Sequence, residues 1–423
     1  MKRLENYTGW IILGTLTAYL LSIPAPALLA VPTLFAWSVP VIQWGSLGKG
    51  PRNQTLLLVI TGLILILFSA YKGVFIGWEN IFSRNIPLLA MFVAVSFLGL
   101  TKREMRGEKF PKGNAAVVTT ALVTHVLGGL INLSALFVFG DRLQKHGTLT
   151  RTQMIVLVRS FCAAAWWSPF FIATGVALTY SPEMSLQKTL IPGLVMSFAA
   201  IAFSIAEVCY FRKEEFSGYP FKAESLAIPV FLAVLVLAVH FFRPEINILN
   251  VICIVSPAGA MLFMRFKPRM EKIRDFITTG LVTVDSQFTL FLAAGVFSSG
   301  IQSITSLYPA VFSLENTVFT PMLFAVILGV MIVAGIIGVH PVISISIVSP
   351  LLLPLHADHS QLGFLFLSAW AISTAGSPLS GVGLALVSRY RASSRVILLS
   401  NWHYAVMMWA FASAANVYFF TGE

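Results

Sequence analysis

The sequence predicts an all-α, polytopic membrane protein of about 11 transmembrane helices plus two re-entrant hairpins, arranged as an inverted repeat. Three observations predict this fold class: the apolar composition, the one-sided distribution of basic residues, and two matching pairs of interrupted apolar stretches. Of the 423 residues, 57% are hydrophobic and only 11% are charged, whereas a soluble domain carries about 25% charged residues. So few charges cannot cover a water-facing surface, and much of this surface must therefore face lipid.

The uninterrupted apolar stretches are each long enough for one helical crossing, which needs about 20 residues. The first belongs to a leading helix within residues 1–25. The stretches run at about 9–23, 26–43, 55–71, 86–100, 190–210, 226–242, 246–264, 279–305 and 396–420.

Four further apolar regions are interrupted by Gly, Pro and polar residues, and they form two pairs. Each pair is interpreted as a re-entrant hairpin followed by a broken helix that crosses the membrane. The first repeat, 26–210, contains hairpin 114–140 and broken helix 152–180; the second, 226–420, contains hairpin 319–355 and broken helix 361–388.

The basic residues fix the orientation of this arrangement. With the N-terminus in the cytoplasm and the C-terminus outside, 23 of the 28 Lys and Arg lie in predicted cytoplasmic segments and four in outer segments. The remaining one, Arg159, lies within the first broken helix. Such an asymmetry is the positive-inside signal of an inner (plasma) membrane protein, and it also accounts for the net charge of +11. No nucleic-acid partner is predicted.

The two halves also match in sequence. Ser168-Pro169 and Ser377-Pro378 are 209 residues apart, and each is followed by a Gly-x-Ala-Leu string, at Gly175 and at Gly383. The first hairpin starts from the cytoplasm and the second from outside, so the halves have opposite orientation. Interrupted helices at matching positions of an inverted repeat indicate the binding site of a secondary transporter.

One leading helix followed by two inverted units, each of three helices, a hairpin, a broken helix and a closing helix, resembles the ion transporter superfamily and its divalent anion–sodium symporter branch. The resemblance covers nearly the whole chain and rests on this layout. The hairpin tips read Gly-Leu-Ile-Asn-Leu-Ser and Gly-Val-His-Pro-Val-Ile-Ser, where that branch carries Ser-Asn-Thr. The resemblance therefore implies an elevator-type mechanism and a homodimer, but not a dicarboxylate substrate.

The four interruptions are expected to line one site, because backbone without helical bonds is tolerated at membrane depth only beside protein or a water-filled cavity. Half-helix N-termini suit an anion, and unwound carbonyls suit Na⁺. A Na⁺ site is predicted near Asn132 and Ser377, with no other metal or cofactor. The predicted substrate- and ion-binding residues are Asn132, Ser134, Ser168, Pro169, His340, Pro341, Ser373, Thr374, Gly376, Ser377 and Pro378.

Each of these residues also has a purely structural interpretation. Ser and Asn cap short helices, and Gly and Pro mark kinks and close packing. His340 is a candidate for proton coupling as well as substrate contact. Asp285 has two interpretations, a coupling role and a polar contact to the scaffold. A coupling role is considered because acidic residues inside a membrane are energetically costly and often functional. Arg159 is expected to pair with an acid, to reach the membrane surface or to attract an anion, and Glu207 is expected at the membrane interface.

The sequence thus favours a secondary active transporter, not an enzyme, that moves a small anionic solute with Na⁺ or H⁺ and has membrane lipid as its other partner. No Gly-x-x-x-x-Gly-Lys-Ser/Thr motif is present to bind a nucleotide. Two alternatives stay open. One is a membrane-embedded enzyme acting on a lipid or polyprenyl phosphate, for which the outer His356-Ala357-Asp358-His359 segment is the candidate centre; the other is a channel.

Overall fold

Helix is the backbone conformation that satisfies every N–H and C=O inside one apolar segment, which explains the architecture of this chain. The computed structural model describes residues 7–101, 110–144, 149–212, 215–219, 223–264, 268–312, 318–355 and 357–421. Over these ranges the structure contains helices and no strand, and the one bridge joins Lys112 to Ser217.

The α-helices of the described ranges are numbered here in chain order. They are α1 Thr8–Ser22, α2 Ala30–Gln43, α3 Lys49–Tyr71, α4 Trp78–Phe82, α5 Ile86–Ser96, α6 Asn114–Ile131, α7 Leu133–Gln144, α8 Arg151–Ala163, α9 Ile172–Tyr180, α10 Leu186–Ala206, α11 Ala223–Phe242, α12 Ile248–Phe263, α13 Arg269–Asp275, α14 Asp285–Leu307, α15 Pro309–Phe312, α16 Pro321–Ile336, α17 Pro341–Leu352, α18 His359–Gly376, α19 Gly381–Tyr390 and α20 Ser394–Phe420.

Several helical segments are long and apolar enough to cross a bilayer. In the described part of the chain there are six: Pro26–Gln43, Lys49–Tyr71, Trp78–Thr101, Leu186–Arg212, Arg269–Leu307 and His359–Val387. Shorter apolar helices accompany them, α1, α12 and α16 among them. The chain is therefore a multi-pass helical membrane protein.

The helices belong to two compact units. The first comprises residues 1–102, 238–317 and 346–356. Within it α3 packs along α14, and the Ser69 hydroxyl donates to the Ser303 carbonyl at 3.0 Å. Helix α1 packs on α2 and is joined to α12 by the Tyr19 hydroxyl, which donates to Asn250 Oδ1 at 2.6 Å.

The second unit comprises residues 103–237, 318–345 and 357–423. Helix α6 packs against α8, α8 against α10, and α18 against both α16 and α20. Helix α18 is the most deeply enclosed of the six apolar segments, with 94% of its most apolar window buried. All four predicted interruptions fall in this unit.

The helix bounds show where the chain leaves helical geometry. Helix α6 ends at Ile131 and α7 begins at Leu133, while α8 is separated from α9 by a 3₁₀ turn, Ala164–Trp166, and the residues after it. In the second half, α16 ends at Ile336 before α17 begins at Pro341, and α18 ends at Gly376 before α19 begins at Gly381. The repeat boundaries and the assignment of hairpins as re-entrant stay predictions.

Candidate functional site

The first helix interruption centres on a strained backbone position. Asn132 has φ +50° and ψ −145°, a conformation that non-glycine residues rarely adopt, and such residues concentrate at functional sites. Its side-chain amide donates to the Phe170 carbonyl at 2.9 Å. Asn132 therefore joins the tip between α6 and α7 to the break that follows α8.

Ser168 makes the second connection between this tip and this break. Its side chain is fully buried, and its hydroxyl donates a short hydrogen bond to the Gly129 carbonyl near the end of α6. The same hydroxyl accepts from the Phe170 N–H at 3.3 Å, while the Ser168 carbonyl accepts from the Thr174 hydroxyl at 2.7 Å. Pro169, which has no N–H to donate, follows directly and prevents the helix from continuing.

The second tip and break repeat this bonding pattern. The Ser377 hydroxyl donates to the Ile336 carbonyl, at the end of α16, at 3.3 Å, and accepts from the Leu379 N–H at 3.1 Å. Ser168 and Ser377 are 209 residues apart, and so are the two amide donors, Phe170 and Leu379. The two break serines thus make corresponding hydrogen bonds, with acceptor carbonyls, Gly129 and Ile336, that are 207 residues apart. The inverted repeat itself stays a prediction.

Close backbone approach accompanies each of these bonds. A Cβ atom added to Gly129 would lie 3.2 Å from the Ala164 Cβ, and one added to Gly335 would lie 2.4 Å from the Ser373 Cβ. Ala164 and Ser373 are again 209 residues apart. A hairpin glycine therefore packs closely against the residue four positions before each break serine, Gly129 against Ala164 and Gly335 against Ser373.

The second break is the richer of the two in small and polar groups. Ser373, Thr374 and Gly376 are buried in the last turn of α18, and Pro378 follows Ser377. The Ser380 hydroxyl accepts from the Gly383 N–H at 3.0 Å and so caps the start of α19. The C-terminal end of one half-helix and the N-terminal end of the next thus lie four residues apart, with opposite partial charges.

His340 lies in the turn before α17, and Pro341 follows it. The His340 ring packs edge-on against the Trp370 ring of α18, with centroids 5.3 Å apart, and its Nδ1 accepts from the Val342 N–H at 3.3 Å. Pro341 is the first residue of α17, where a missing N–H costs no helical bond. The structure therefore places His340 beside Trp370 of α18, and Trp370 lies about one turn before Ser373 and Thr374.

Two tryptophans beside the first break connect it to neighbouring helices. The Trp166 indole N–H donates to the Ser368 hydroxyl of α18 at 3.0 Å, so the two broken helices are joined within the unit. The Trp167 indole N–H donates to His125 Nε2 at 2.9 Å, while His125 Nδ1 lies 3.1 Å from the Ser160 carbonyl. Both ring nitrogens of His125 are engaged, as expected for a packed side chain.

A polar contact also joins α7 to α19. Asp141 accepts from Arg389 Nε at 2.8 Å and Nη2 at 2.6 Å, and from the Tyr390 hydroxyl at 2.9 Å. The hydrogen bond to Asp141 raises the pKa of Arg389 above its usual range, and burial raises the pKa of Tyr390. Sequence reasoning did not find this link between the first hairpin and the second broken helix.

Some predicted residues are not part of this arrangement. The Ser134 side chain and the whole of His356 lie outside the described residues. Asp285 belongs to the other unit, where its carboxylate accepts from the neighbouring Ser286 N–H at 2.5 Å at the start of α14. In the outer segment, Asp358 caps α18 by accepting from the Ser360 and Gln361 N–H groups.

The charged network around Glu207 was not predicted from the sequence. Arg159, which is fully buried, donates to Glu207 at 2.7 Å, and His403 Nε2 lies 2.8 Å from the same carboxylate oxygen. The Glu207 side chain is buried within the protein, and its expected place at the membrane interface stays a prediction. The sequence shows one basic, one acidic and one imidazole side chain in three separate apolar segments. It does not show that they pair, because Arg159 and Glu207 are 48 residues apart and Glu207 and His403 are 196 residues apart.

No family model matches the sequence, and no curated protein matches it. Among solved structures, that of the YdaH transporter from Alcanivorax borkumensis is similar, with a TM-score of 0.56 and 13% sequence identity. The similarity covers 88% of this chain and 99% of that chain.

The chain has the fold of that transporter. At this identity the similarity shows the fold alone. Membership of the ion transporter superfamily stays a prediction.

Proposed function

We propose that this protein is a secondary active transporter that moves a small anionic solute across the inner membrane. The observation that carries the proposal is the repeated site geometry: in each half a buried break serine donates to a carbonyl of the preceding hairpin. Paired interruptions of this kind form the substrate and ion sites of transporters built from inverted repeats. The fold shared with a transporter supports the same function.

The chemistry of the two breaks suits an anion together with a small cation. The breaks themselves carry no Lys, Arg, Asp or Glu, so binding falls to N–H groups, carbonyls and hydroxyls. The N-terminus of α19 offers N–H groups to an anion. The carbonyls and hydroxyls around Asn132 and Ser377 are oxygen donors of the kind that coordinate Na⁺ at unwound helices, so these residues fit a Na⁺ coupling site.

We propose an elevator-type alternating-access mechanism, in which the unit that carries all four interruptions moves the solute. This follows the layout of the repeat and the transporter fold. The homodimer and the cytoplasmic N-terminus belong to the same proposal, the first from the family resemblance and the second from the distribution of basic residues.

The alternatives have less support. The enzyme alternative needs free catalytic groups, but the Asp358 carboxylate caps α18 and the His359 imidazole is engaged, since its Nδ1 lies 3.2 Å from the Ser181 hydroxyl. A channel would need a continuous path, whereas the breaks are closed by hydrogen bonds between hairpins and broken helices.

The first experiment is solute-dependent thermal stabilisation of the purified protein. The panel contains succinate, citrate, sulfate, phosphate and aspartate, each with and without Na⁺. We expect one class of anion to raise the unfolding temperature, because a ligand that binds only the folded state stabilises it. A hit that needs Na⁺ identifies the coupling ion as well, and a panel without any hit would contradict the anionic substrate.

The site residues are tested with the same assay. Ser168→Ala and Ser377→Ala remove the two serine–carbonyl bonds and are expected to weaken solute stabilisation. Ser413→Ala is the matched control, since this hydroxyl bonds only its own helix, at the Trp409 carbonyl. Unchanged stabilisation in both site variants would exclude the two breaks as the binding site.

A further inference from the structure

The strongest unassigned feature is the charged network that joins α8, α10 and α20. Arg159 is 0% exposed, and each arm of its guanidinium is bonded: Nη1 to Glu207 at 2.7 Å, Nη2 to the Ser400 carbonyl at 2.6 Å and Nε to Asn401 Oδ1 at 2.8 Å. Its guanidinium also lies 4.5 Å from the centroid of the Tyr404 ring. A charge buried at this depth persists only with such complete pairing.

Glu207 is the shared acceptor of the network. Its Oε1 accepts from Arg212 at 2.5 Å and 2.8 Å, whereas its Oε2 is shared between Arg159 and His403 Nε2, at 2.7 Å and 2.8 Å. A buried arginine and an imidazole thus bond to the same carboxylate oxygen, whose two lone pairs hold both.

The three members differ in exposure at the protein surface. The side chains are 0% exposed for Arg159, 10% for Glu207 and 30% for His403. Arg159 lies about two turns into α8, Glu207 directly follows α10, and His403 lies nine residues into α20. The starts of α8 and α20 meet, since Arg151 Nε donates to the Ser400 hydroxyl at 2.7 Å. The sequence predicts the start of α8, the end of α10 and the start of α20 on the cytoplasmic side, so His403, the most exposed member, is the candidate for proton exchange with cytoplasmic water.

The charged surroundings of His403 are defined by the helices packed against it. Arg151 and Arg159 come from α8, Glu207 and Arg212 from the π-helical segment Glu207–Arg212 that follows α10, and Tyr404 from its own helix. Helix α16 contains no titratable residue, while α6, α18 and α19 contain only His125, His359, Arg389 and Tyr390. Those four are bonded elsewhere, to Ser160, Ser181 and Asp141.

We infer that His403, held by Glu207 and Arg159, is a proton-binding site through which cytoplasmic pH controls the first broken helix. With Nε2 donating to the carboxylate, Nδ1 is the nitrogen that takes a proton from water. Imidazole is the side chain that ordinarily titrates near neutral pH, and the guanidinium groups around it do not. Protonation strengthens the bond from His403 to the shared oxygen. It also puts a second positive charge beside the Arg159 guanidinium, and the repulsion between the two cations weakens the hold of Arg159 on that oxygen.

This change reaches the break through α8. Arg159 lies four residues before the end of α8 at Ala163, about 6 Å along that helix, and the 3₁₀ turn Ala164–Trp166 then leads to Ser168. The far end of α8 is fixed to α10 by the Ser197 hydroxyl, which donates to the Ala163 carbonyl at 2.7 Å. A shift in the Arg159 contact therefore acts on a helix whose other end leads into the break. The coupling of transport to protons rests on the proposed function; the titration and its effect on α8 do not.

The test uses one variant for each charge state of the imidazole. His403→Gln is the neutral form and His403→Lys the permanently charged form, with His359→Gln as the matched control. The first readout needs no solute: amide hydrogen exchange over residues 151–163, corrected for the chemical exchange rate, from about pH 5 to about pH 8, where imidazole ordinarily titrates.

In the wild type and in His359→Gln we expect exchange in this segment to change by about five-fold or more across that range. His403→Gln should hold the alkaline value and His403→Lys the acidic value at every pH. A wild-type pH profile in both His403 variants would overturn the inference, as would a flat profile in the wild type. A flat profile in either folded His403 variant supports it, so the loss of one variant to misfolding leaves the test intact.

The second readout is uptake into proteoliposomes of the panel anion that stabilises the protein most, with and without a pH gradient. We expect the gradient to accelerate uptake in the wild type and to have no effect in His403→Gln. If no panel anion binds, the proposed function fails while the exchange result stands. If uptake occurs and responds equally to the gradient in both proteins, the coupling role of His403 is refuted while transport stands.

Discussion

Replacing Glu207 by methionine should destabilise the protein far more than replacing Arg159, although the two residues form one ion pair. The reason lies in the number of partners. Glu207 bonds to Arg159, Arg212 and His403, whereas Arg159 has Glu207 as the one carboxylate bonded to it in the described part of the chain. Without Arg159 the carboxylate keeps two cationic or hydrogen-bonding partners, but without Glu207 a fully buried guanidinium has none of opposite charge.

The expected magnitudes follow from this difference. Leaving a buried charge unpaired costs about 3–5 kcal/mol. Arg159→Met instead leaves two neutral acceptors, the Ser400 carbonyl and Asn401 Oδ1, and the loss of such hydrogen bonds costs about 1–3 kcal/mol. In the double variant no fully buried charge is left without a partner, because the remaining cationic or hydrogen-bonding groups, Arg212 and His403, are 16% and 30% exposed.

The assay is the free energy of unfolding from denaturing-detergent titrations of the wild type, both single variants and the double variant. We expect Glu207→Met to be the least stable and the double variant to recover toward Arg159→Met, with a coupling of about 2 kcal/mol or more between the two sites. If Glu207→Met were no less stable than Arg159→Met, or if the two effects simply added, the account of Glu207 as the shared acceptor would be refuted.

Three further predictions follow from other contacts. Gly335→Ala puts a Cβ 2.4 Å from the Ser373 Cβ and should lower the free energy of unfolding by about 1–3 kcal/mol through overpacking. Thermal unfolding should show recovery in the Gly335→Ala, Ser373→Gly double variant. An unchanged unfolding temperature in Gly335→Ala would contradict the close approach. Asp141→Asn removes the ion pair with Arg389, whose side chain is 51% exposed, so stability should fall by less than about 1 kcal/mol; a larger loss in the same melting experiment would show that this contact is not solvent-screened. Ser368→Ala leaves the buried Trp166 indole without its hydroxyl acceptor and should cost about 1–3 kcal/mol, whereas Ser413→Ala should not; equal unfolding temperatures for the two variants would argue against the link between the broken helices.

The sequence was informative about the helices because local chemistry decides them. Apolar segments bounded by charged loops become spanning helices, and proline ends a helix by lacking an N–H and by clashing with the preceding turn. The interruptions at Ser168-Pro169 and Ser377-Pro378 could therefore be placed from the residues alone, and the structure has helix ends at both. Their roles in binding stay predictions.

The sequence was weaker where the outcome depends on which side chains meet. Glu207 was expected at the interface because it lies near a helix end, and that place stays a prediction. The sequence did not show that its carboxylate is bonded to Arg159 and His403 from two other helices. Nothing in the local pattern around His403 indicates this, since a single imidazole in an apolar helix is usually a packed residue. The link between Asp141 and Arg389 was missed for the same reason, because it joins residues 248 positions apart.

By itself, the sequence determined that this chain is a multi-pass helical membrane protein and where its helices break. These properties follow from the free-energy cost of exposing backbone groups and charges to lipid. That cost depends on each residue and its neighbours in sequence, so it can be read from the sequence. Only the tertiary structure decided that close packing at a glycine and a hydrogen bond from a serine join each hairpin tip to its break. It also decided that one carboxylate bonds to two guanidinium groups and an imidazole. Such contacts depend on the packing of distant helices, and that packing is a property of the folded chain.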